Sequence, residues 1–193
     1  MSDQRPWSSP LDEPLLKEHI VQLYREERFV VEAIAIFAGQ GLGKGGAVVL
    51  MATPSHLEAV EERLADVGVS VEELKRTGQI TSLDAATMLA RFMVDGMPAP
   101  ELFRAVVADM VKTARADGRY PNIRLYGELA HLLWKENLPA ALRLEQLWSE
   151  AIDVHSMALF CTYGLDGHTH VQEAFPYELS SLHSRVIPLE PSV

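Results

Sequence analysis

The sequence predicts an α/β protein, a three-layer sandwich with helices on both faces of a mainly parallel sheet of about five strands. Strand-like and helical patterns alternate about five times along the 193 residues, which is typical of parallel strands joined by crossover helices. The stretch Ala47–Ala52 is apolar throughout, as expected of a strand covered on both faces. Without a repeat or a second boundary, we expect one domain over 17–190 after a flexible, proline-containing lead over 1–16.

The first half of the chain is predicted to form three strands, each followed by a helix. A strand over His19–Tyr24 precedes a helix that begins near residue 27 and ends in the glycines at 39, 41 and 43. After the strand Ala47–Ala52, Thr53 is the expected N-cap and Pro54 the first turn of a helix that stops at Gly68. A short helix over 71–76, a strand over 80–83 and a helix over 85–92 capped by Asp84 follow.

The second half continues the same rhythm. Residues 95–98 are a predicted turn, 100–117 a long helix and 123–126 a strand. A helical stretch over 130–154, interrupted near 137–139, leads to a strand over 157–162. We expect a loop over 164–175, a short helix over 177–183 and a tail over 184–193.

The composition excludes several classes of function. The chain has 17 basic and 27 acidic residues, a net charge of −10, so direct binding to nucleic acid or to an anionic membrane is not expected. No run is long enough for a transmembrane helix, and the N-terminus lacks the pattern of a signal peptide. The single cysteine, Cys161, excludes an intrachain disulfide. We expect a cytoplasmic protein.

The glycine-rich stretch over 39–46 resembles a phosphate loop only superficially. A phosphate loop has the spacing GxxxxGK[ST], whereas here Gly39 and Gly43 are one residue too close and Gly45 replaces the magnesium-binding hydroxyl. Such a loop also joins a strand to the start of a helix, and this one is predicted to follow a helix. We interpret it as a turn.

Two carboxylates attract attention because of where the pattern places them. Arg124, Tyr126 and Glu128 alternate along the fourth strand and would share one side of it. Gly127 would let the backbone leave the sheet or approach a ligand. Glu128 is either a ligand contact at the carboxyl edge or a residue that merely starts the next helix.

Glu145 falls within the apolar face of a predicted helix. A carboxylate that points into the core must be paired, hydrogen-bonded or protonated, and Arg124 is a candidate partner. A buried ion pair with a structural role and a ligand contact both stay open.

No motif names a reaction or a metal. His168 and His170, with His155 and His183 nearby in sequence, lack the defined spacing of a metal site. We find no GxSxG, HExxH or CxxC motif, and a cysteine in a buried strand is usually inert. We therefore assign no catalytic residue, no metal ligand and no cofactor.

The order of motifs nevertheless resembles one family over roughly residues 17–190. The strongest parts are Leu125-Tyr126-Gly127-Glu128, Leu133-Trp134, 141–145 and Leu147-Trp148. The other matching parts are His19, Leu23-Tyr24, 48–54 with His56, 78–80, 83–85, 92–96, Pro100 with Phe103, 159–163 and 183–188. Together they resemble the MEDS family, a sensory domain first described in regulators from methanogens and methylotrophs.

The resemblance implies a RecA/KaiC-like fold without a working nucleotide loop, and a sensory role in two-component or transcriptional regulation. Such domains are usually joined to kinases or DNA-binding regulators, and no such domain is evident here. We expect a module that binds a small organic ligand or a partner protein and relays to a separate histidine kinase or regulator. Alternatives are a KaiC-like nucleotide-binding ATPase relic and a ligand-free scaffold for a kinase. A homo-oligomer stays open.

The expected ligand site lies at the carboxyl edge of the sheet. Its candidate residues are those near strand ends together with two behind them, namely Tyr24, Thr53, Asp84, Tyr126, Gly127, Glu128, Glu145, Trp148 and Tyr163.

Overall fold

The protein is described by a computed structural model that covers residues 9–165 and 175–187. Helices and strands alternate as predicted, except that residues 130–136, which the sequence predicts to be helical, form turns. The helices are α1 Ser9–Asp12, α2 Glu27–Gly43, α3 Pro54–Asp66, α4 Val71–Arg76, α5 Ala85–Ala90, α6 Pro100–Arg115, α7 Leu138–His155 and α8 Tyr177–Ser180. The strands are β1 His19–Tyr24, β2 Ala47–Ala52, β3 Ile80–Asp84, β4 Met93–Val94, β5 Met97–Pro98, β6 Ile123–Gly127, β7 Ala158–Gly164 and β8 Arg185–Ile187.

The central sheet has six parallel strands in the order β3-β2-β6-β7-β1-β8. The predicted three-layer α/β class is confirmed, whereas the closer likeness to RecA and KaiC stays a prediction. The expected tail over 184–193 is wrong for Arg185–Ile187, which pairs with β1 as the sixth strand. Because this strand has only three residues and its first two are exposed, its sequence carries little hydrophobic pattern.

Each face of the sheet carries its own hydrophobic core. The α2/α3 face packs α1 to α4 against side chains such as Ile20, Leu50 and Phe160. The α6/α7 face packs α5 to α8 against Val21 and Leu159, among others. Because successive residues of a strand point to opposite faces, successive residues of each long strand belong alternately to the two cores.

Arg124 explains two departures from the predicted element boundaries. Its guanidinium lies under α2 and donates to the carbonyl oxygens of Leu11, Asp12 and Phe37 at 2.8–3.0 Å. A Cβ on Gly41 would lie 2.7 Å from Arg124 Cδ, so the glycine makes room for this side chain. The glycines at 39, 41 and 43 belong to α2, which ends among them as predicted, so only 44–46 of the expected turn over 39–46 follow the helix. Leu11 is fully buried, so part of the expected flexible lead packs on the core.

Local signals account for the remaining connections. Asp84 accepts a hydrogen bond from the Thr87 amide and caps α5, and Asn137 caps α7 in the same way. Asp95 and Gly96 both have positive φ and close an unpredicted hairpin between β4 and β5. Among the described residues, no helix combines the length and the apolar character that crossing a bilayer requires.

Candidate functional site

The carboxyl edge of the sheet contains a topological switch point between β2 and β6. β2 continues into α3 on one face, whereas the chain after β6 leads to α7 on the other. Open α/β sheets bind ligands in the crevice that such a divergence creates. Glu128 follows β6 at this point: its amide donates to the Met51 carbonyl at 2.9 Å, and its Oε2 accepts from the Thr53 amide at 2.8 Å.

A histidine links this buried carboxylate to the surface. His56, in the first turn of α3, bonds Glu128 through Nδ1 and Glu27 through Nε2. Glu128 is 1% exposed, the His56 side chain 12% and the Glu27 side chain 70%. The three residues thus form a path from solvent to the core that joins the start of α2, the start of α3 and the end of β6.

The electrostatics of this path favour a protonated imidazole between two carboxylates. Burial by itself lowers the pKa of His56, but the hydrogen bonds and charges of Glu128 and Glu27 outweigh it and raise the pKa from 6.5 to about 9. Burial likewise raises the pKa of Glu128, yet His56, the Thr53 amide and Tyr126 together lower it. Near neutral pH, His56 therefore donates from both ring nitrogens.

The path continues inward through two hydroxyl groups. Tyr126 donates to Glu128 Oε1 at 2.8 Å, and its oxygen lies 2.7 Å from Thr162 Oγ1. Since Tyr126 gives its hydrogen to the carboxylate, Thr162 donates to Tyr126. Gln22, the register partner of Thr162 on β1, is buried. Its side-chain amide makes no hydrogen bond within the described residues. We call Glu27, His56, Glu128, Tyr126 and Thr162 the edge path.

A second polar cluster lies on the α6/α7 face. Glu145 of α7 is fully buried. Its Oε2 lies 3.2 Å from His19 Nε2, and its Oε1 lies 3.7 Å from His183 Nε2. Tyr163 donates to Oε1, and Cys161 Sγ lies 3.6 Å from His19 Nε2 and 4.0 Å from Glu145 Oε2. We call these five residues the core cluster.

Burial raises or lowers the pKa values of several groups in the core cluster. It lowers the pKa of His183 to about 4 and raises the pKa values of Cys161 and Tyr163 well above their usual ranges. Burial also acts to raise the pKa of Glu145, but the two imidazoles and the Tyr163 hydroxyl outweigh it and hold that pKa low. The carboxylate is therefore ionised and His183 is neutral near pH 7.

A comparison with protein-family models finds a match over most of the chain. The model of one family, described as the methanogen/methylotroph, DcmR sensory domain (MEDS), matches residues 18–174. The chain belongs to the MEDS family. No curated protein matches the chain. The MEDS match includes both the edge path and all of the core cluster except His183, which lies beyond its end.

Six of the nine predicted site residues of this MEDS chain lie at one of two places. Thr53, Tyr126 and Glu128 meet at the edge path, and Tyr24 lies near it, with its ring centroid 6.4 Å from that of His56. Glu145 and Tyr163 meet instead in the core cluster. Of the three possibilities for an inward carboxylate, Glu145 shows pairing and hydrogen bonding.

The other three predicted site residues lie at neither place, and their contacts explain them as parts of the fold. Asp84 caps α5 at the edge strand β3. Trp148 packs its ring 4.8 Å from Phe103 in the α6/α7 core. Gly127 stays within β6, and an added Cβ would meet only ordinary contacts at 3.7 Å or more.

The proposed pairing of Arg124 with Glu145 is wrong. Arg124 and Glu145 lie on opposite faces, because Arg124 shares the α2/α3 face with Tyr126, as the alternation along the strand predicted. Its donors are used by backbone carbonyls near α1 and α2. Histidines pair with Glu145 instead.

The residues that complete both places were not predicted as site residues. His19 and His56 were points of family likeness, His183 was one of several histidines without the spacing of a metal site, and Glu27 was not singled out. Their partners are distant in sequence, 142 residues apart in the case of His19 and Cys161, so spacing alone gives no signal. His168 and His170 lie outside the described residues.

The structure also places the glycine-rich turn away from the carboxyl edge. The turn over 44–46 follows α2 and precedes β2, so it lies at the amino edge, beside a cavity of about 260 Å³ lined by Lys44 and Arg124. The strand-to-helix turn after β1, where a phosphate would meet a helix N-terminus, has no glycine. The acidic Glu26 and Glu27 stand there instead.

Proposed function

We propose that this MEDS domain is a sensory module whose input is a small oxygen-bearing organic molecule bound at the edge path. The observation that carries the proposal is the continuous path from the exposed Glu27 through His56 to the buried Glu128. It lies at the switch point where α/β sheets bind ligands. The description of the family as sensory supports the same role.

The outer end of the path suggests the chemistry of the ligand. His56 Nε2 donates to Glu27, whose side chain is 70% exposed, so this bond is the easiest in the path to exchange. A ligand that replaces Glu27 must accept a hydrogen bond, as the oxygen of an alcohol, aldehyde, amide or carboxylate does. Phosphate is disfavoured because the nearby helix start offers no glycine loop to bind it.

Exchange at His56 provides a route for a signal. Glu27 begins α2 and His56 begins α3, so loss of their contact frees the two helix starts to move relative to each other. A ligand that binds one arrangement more tightly shifts the population toward it. We propose that a separate histidine kinase or transcription regulator detects the shift.

Native mass spectrometry with metabolite extract, followed by NMR titration of the His56 ring, tests the proposal. As defined probes, methanol, acetaldehyde, acetamide and acetate supply the four kinds of oxygen acceptor. We expect a small-molecule adduct and a saturable shift of the His56 Nε2 resonance. Glu128→Gln should weaken binding about 10-fold, the equivalent of one lost charged hydrogen bond. The matched control Asp84→Asn, at an acidic strand end outside the path, should bind as the native protein does.

Three results would contradict the proposal. A folded Glu128→Gln variant that binds as tightly as the native protein would remove the path from the site. A protein adduct without any small molecule would favour the scaffold alternative. ATP turnover abolished by Glu128→Gln would favour the ATPase alternative.

A further inference from the structure

The core cluster has the composition and spacing of a metal site. Four residues each supply one potential ligand atom, and all four atoms lie within 4.8 Å of one another: His19, Glu145, Cys161 and His183. All four residues are buried. Two imidazoles, a thiol and a carboxylate form a donor set suited to zinc and similar borderline-soft divalent metals.

The ring orientations of both histidines are set by groups outside the cluster. His183 Nδ1 lies 2.9 Å from the Leu179 carbonyl oxygen, which can only accept, so Nδ1 carries the hydrogen. His19 Nδ1 lies 3.3 Å from Ser149 Oγ, whose own hydrogen goes to the Glu145 carbonyl oxygen at 3.0 Å. Both imidazoles therefore direct Nε2 toward the carboxylate, the arrangement that holds metal-binding histidines in place.

Hydrogen bonding inside the protein does not account for this arrangement. His183 Nε2 is buried and has no hydrogen-bond partner within the described residues. Glu145 Oε1 lies 3.7 Å from His183 Nε2, which is beyond hydrogen-bond distance. A buried nitrogen without a partner costs free energy, and an ion bound between the imidazole and the carboxylate would satisfy both groups.

Two of the separations match those around a tetrahedral ion, whereas the 4.0 Å between Cys161 Sγ and Glu145 Oε2 is wider and would contract on binding. Zinc bonds of about 2.0–2.1 Å to nitrogen and oxygen and about 2.3 Å to sulfur separate adjacent ligand atoms by about 3.3 Å for nitrogen and oxygen, and about 3.6 Å for nitrogen and sulfur. The corresponding separations here are 3.2 Å from His19 Nε2 to Glu145 Oε2 and 3.6 Å from His19 Nε2 to Cys161 Sγ. Glu145 Oε1 would keep its hydrogen bond from Tyr163, as is usual for a carboxylate that binds metal through one oxygen.

We propose that His19, Glu145, Cys161 and His183 bind one divalent transition-metal ion, with zinc the best match to the donor set. On binding, the Cys161 thiol loses its proton to solvent and the sulfur bonds the metal as thiolate. Four protein ligands leave no open position, so the ion is structural rather than catalytic. It would tie β1, β7 and α7 to the segment that leads into β8. The site lies on the opposite face from the edge path and does not depend on the proposed function.

Cobalt titration of the full chain tests the proposal, since Co²⁺ occupies zinc sites and reports a thiolate ligand by its absorption. The protein is stripped with chelator under reducing conditions and titrated with CoCl₂, then with ZnCl₂. We expect one equivalent of Co²⁺ per chain, a sulfur-to-cobalt charge-transfer band, tetrahedral d–d bands, and loss of both on adding zinc. Zinc should also raise the melting temperature, because it binds only the folded site.

Variants locate the ion. Cys161→Ser should abolish the charge-transfer band, and His183→Gln should weaken Co²⁺ binding at least about 10-fold. His155→Gln, a matched control at the end of α7 and outside the cluster, should behave as the native protein. The proposal is overturned if the folded native protein shows no charge-transfer band. It is equally overturned if His56→Gln abolishes binding while Cys161→Ser retains it, since the ion would then lie at the edge path.

Discussion

Glu128 and Glu145 are both buried carboxylates beside histidine and tyrosine, yet their surroundings differ in one respect. Glu128 lies at the carboxyl edge, where His56 connects it to the exposed Glu27. Glu145 lies within the α6/α7 core, where every neighbour in the core cluster is itself buried. Similar side chains are therefore connected to solvent at the carboxyl edge of the sheet and closed off from solvent within the core.

The largest test of this comparison removes each carboxylate in turn. Glu145→Ala should lower the free energy of unfolding by about 3–5 kcal/mol, because it leaves buried partners without their counter-charge. Glu128→Ala should cost about 2 kcal/mol, since His56 can turn toward water. Urea denaturation measures both. Glu150→Ala, also on α7 but half exposed and paired with Arg104, should change stability by less than about 1 kcal/mol. Equal losses at 128 and 145 would remove the distinction.

The pH dependence of stability sharpens the same contrast. The folded pKa of His56, about 9, exceeds its unfolded value near 6.5. Its contribution is therefore complete below pH 6.5 and is lost as the pH rises through about 9. With solvent screening, we expect a loss of about 1–2 kcal/mol between pH 6 and pH 9.5.

The measurement is urea denaturation at both pH values for the native protein and for His56→Gln. The variant should lack this part of the loss. The lowered pKa of Glu128 acts at the other end: its contribution is present above pH 4.5 and is lost as the pH falls through its folded pKa. A native protein with the same pH dependence as His56→Gln would show that His56 is not charged in the folded state.

Two glycines offer a smaller test of where the edge is crowded. A Cβ on Gly164, at the end of β7, would lie 3.2 Å from Tyr24 and 3.4 Å from His131, whereas at Gly127 the nearest atom is 3.7 Å away. Gly164→Ala should therefore cost about 1 kcal/mol of stability. Gly127→Ala should be neutral within about 0.5 kcal/mol. Thermal melts of the two variants give the comparison, and the reverse order would contradict the packing described at the carboxyl edge.

The smallest expected effect separates the two ends of the edge path. Glu27→Gln should change stability by about 0.5 kcal/mol or less, because the Glu27 side chain is largely exposed. It should nevertheless lower the pKa of His56, though by less than Glu128→Gln does. An NMR titration of the His56 ring in both variants checks the order. A larger fall in the pKa of His56 in Glu27→Gln than in Glu128→Gln would mean that the exposed carboxylate, not the buried one, mainly stabilises the protonated imidazole.

Much of the fold could be predicted from the sequence, since apolar runs and caps are local signals. The strands β1 and β2, the cap of α5 and the inward position of Glu145 all follow from such patterns. β8 could not be predicted, because three residues at a sheet edge carry too short a pattern. The partners of Glu145 could not be predicted either, because His19 and His183 reach it only through the strand order β7-β1-β8. The inward position of Glu145 shows that the carboxylate needs a hydrogen-bond or ion-pair partner, but it does not show which residue is that partner.

The alternation along β7 ties both carboxylate environments to a single short stretch of chain. Cys161 and Tyr163 point to the core cluster and Thr162, between them, to the edge path. A substitution at any one of these positions disturbs one face only. Inserting or deleting a single residue before Cys161 would instead exchange the two faces, placing the thiol among the α2/α3 side chains and the Thr162 hydroxyl against Glu145. We therefore expect β7 to accept changes of side chain far more readily than changes of length.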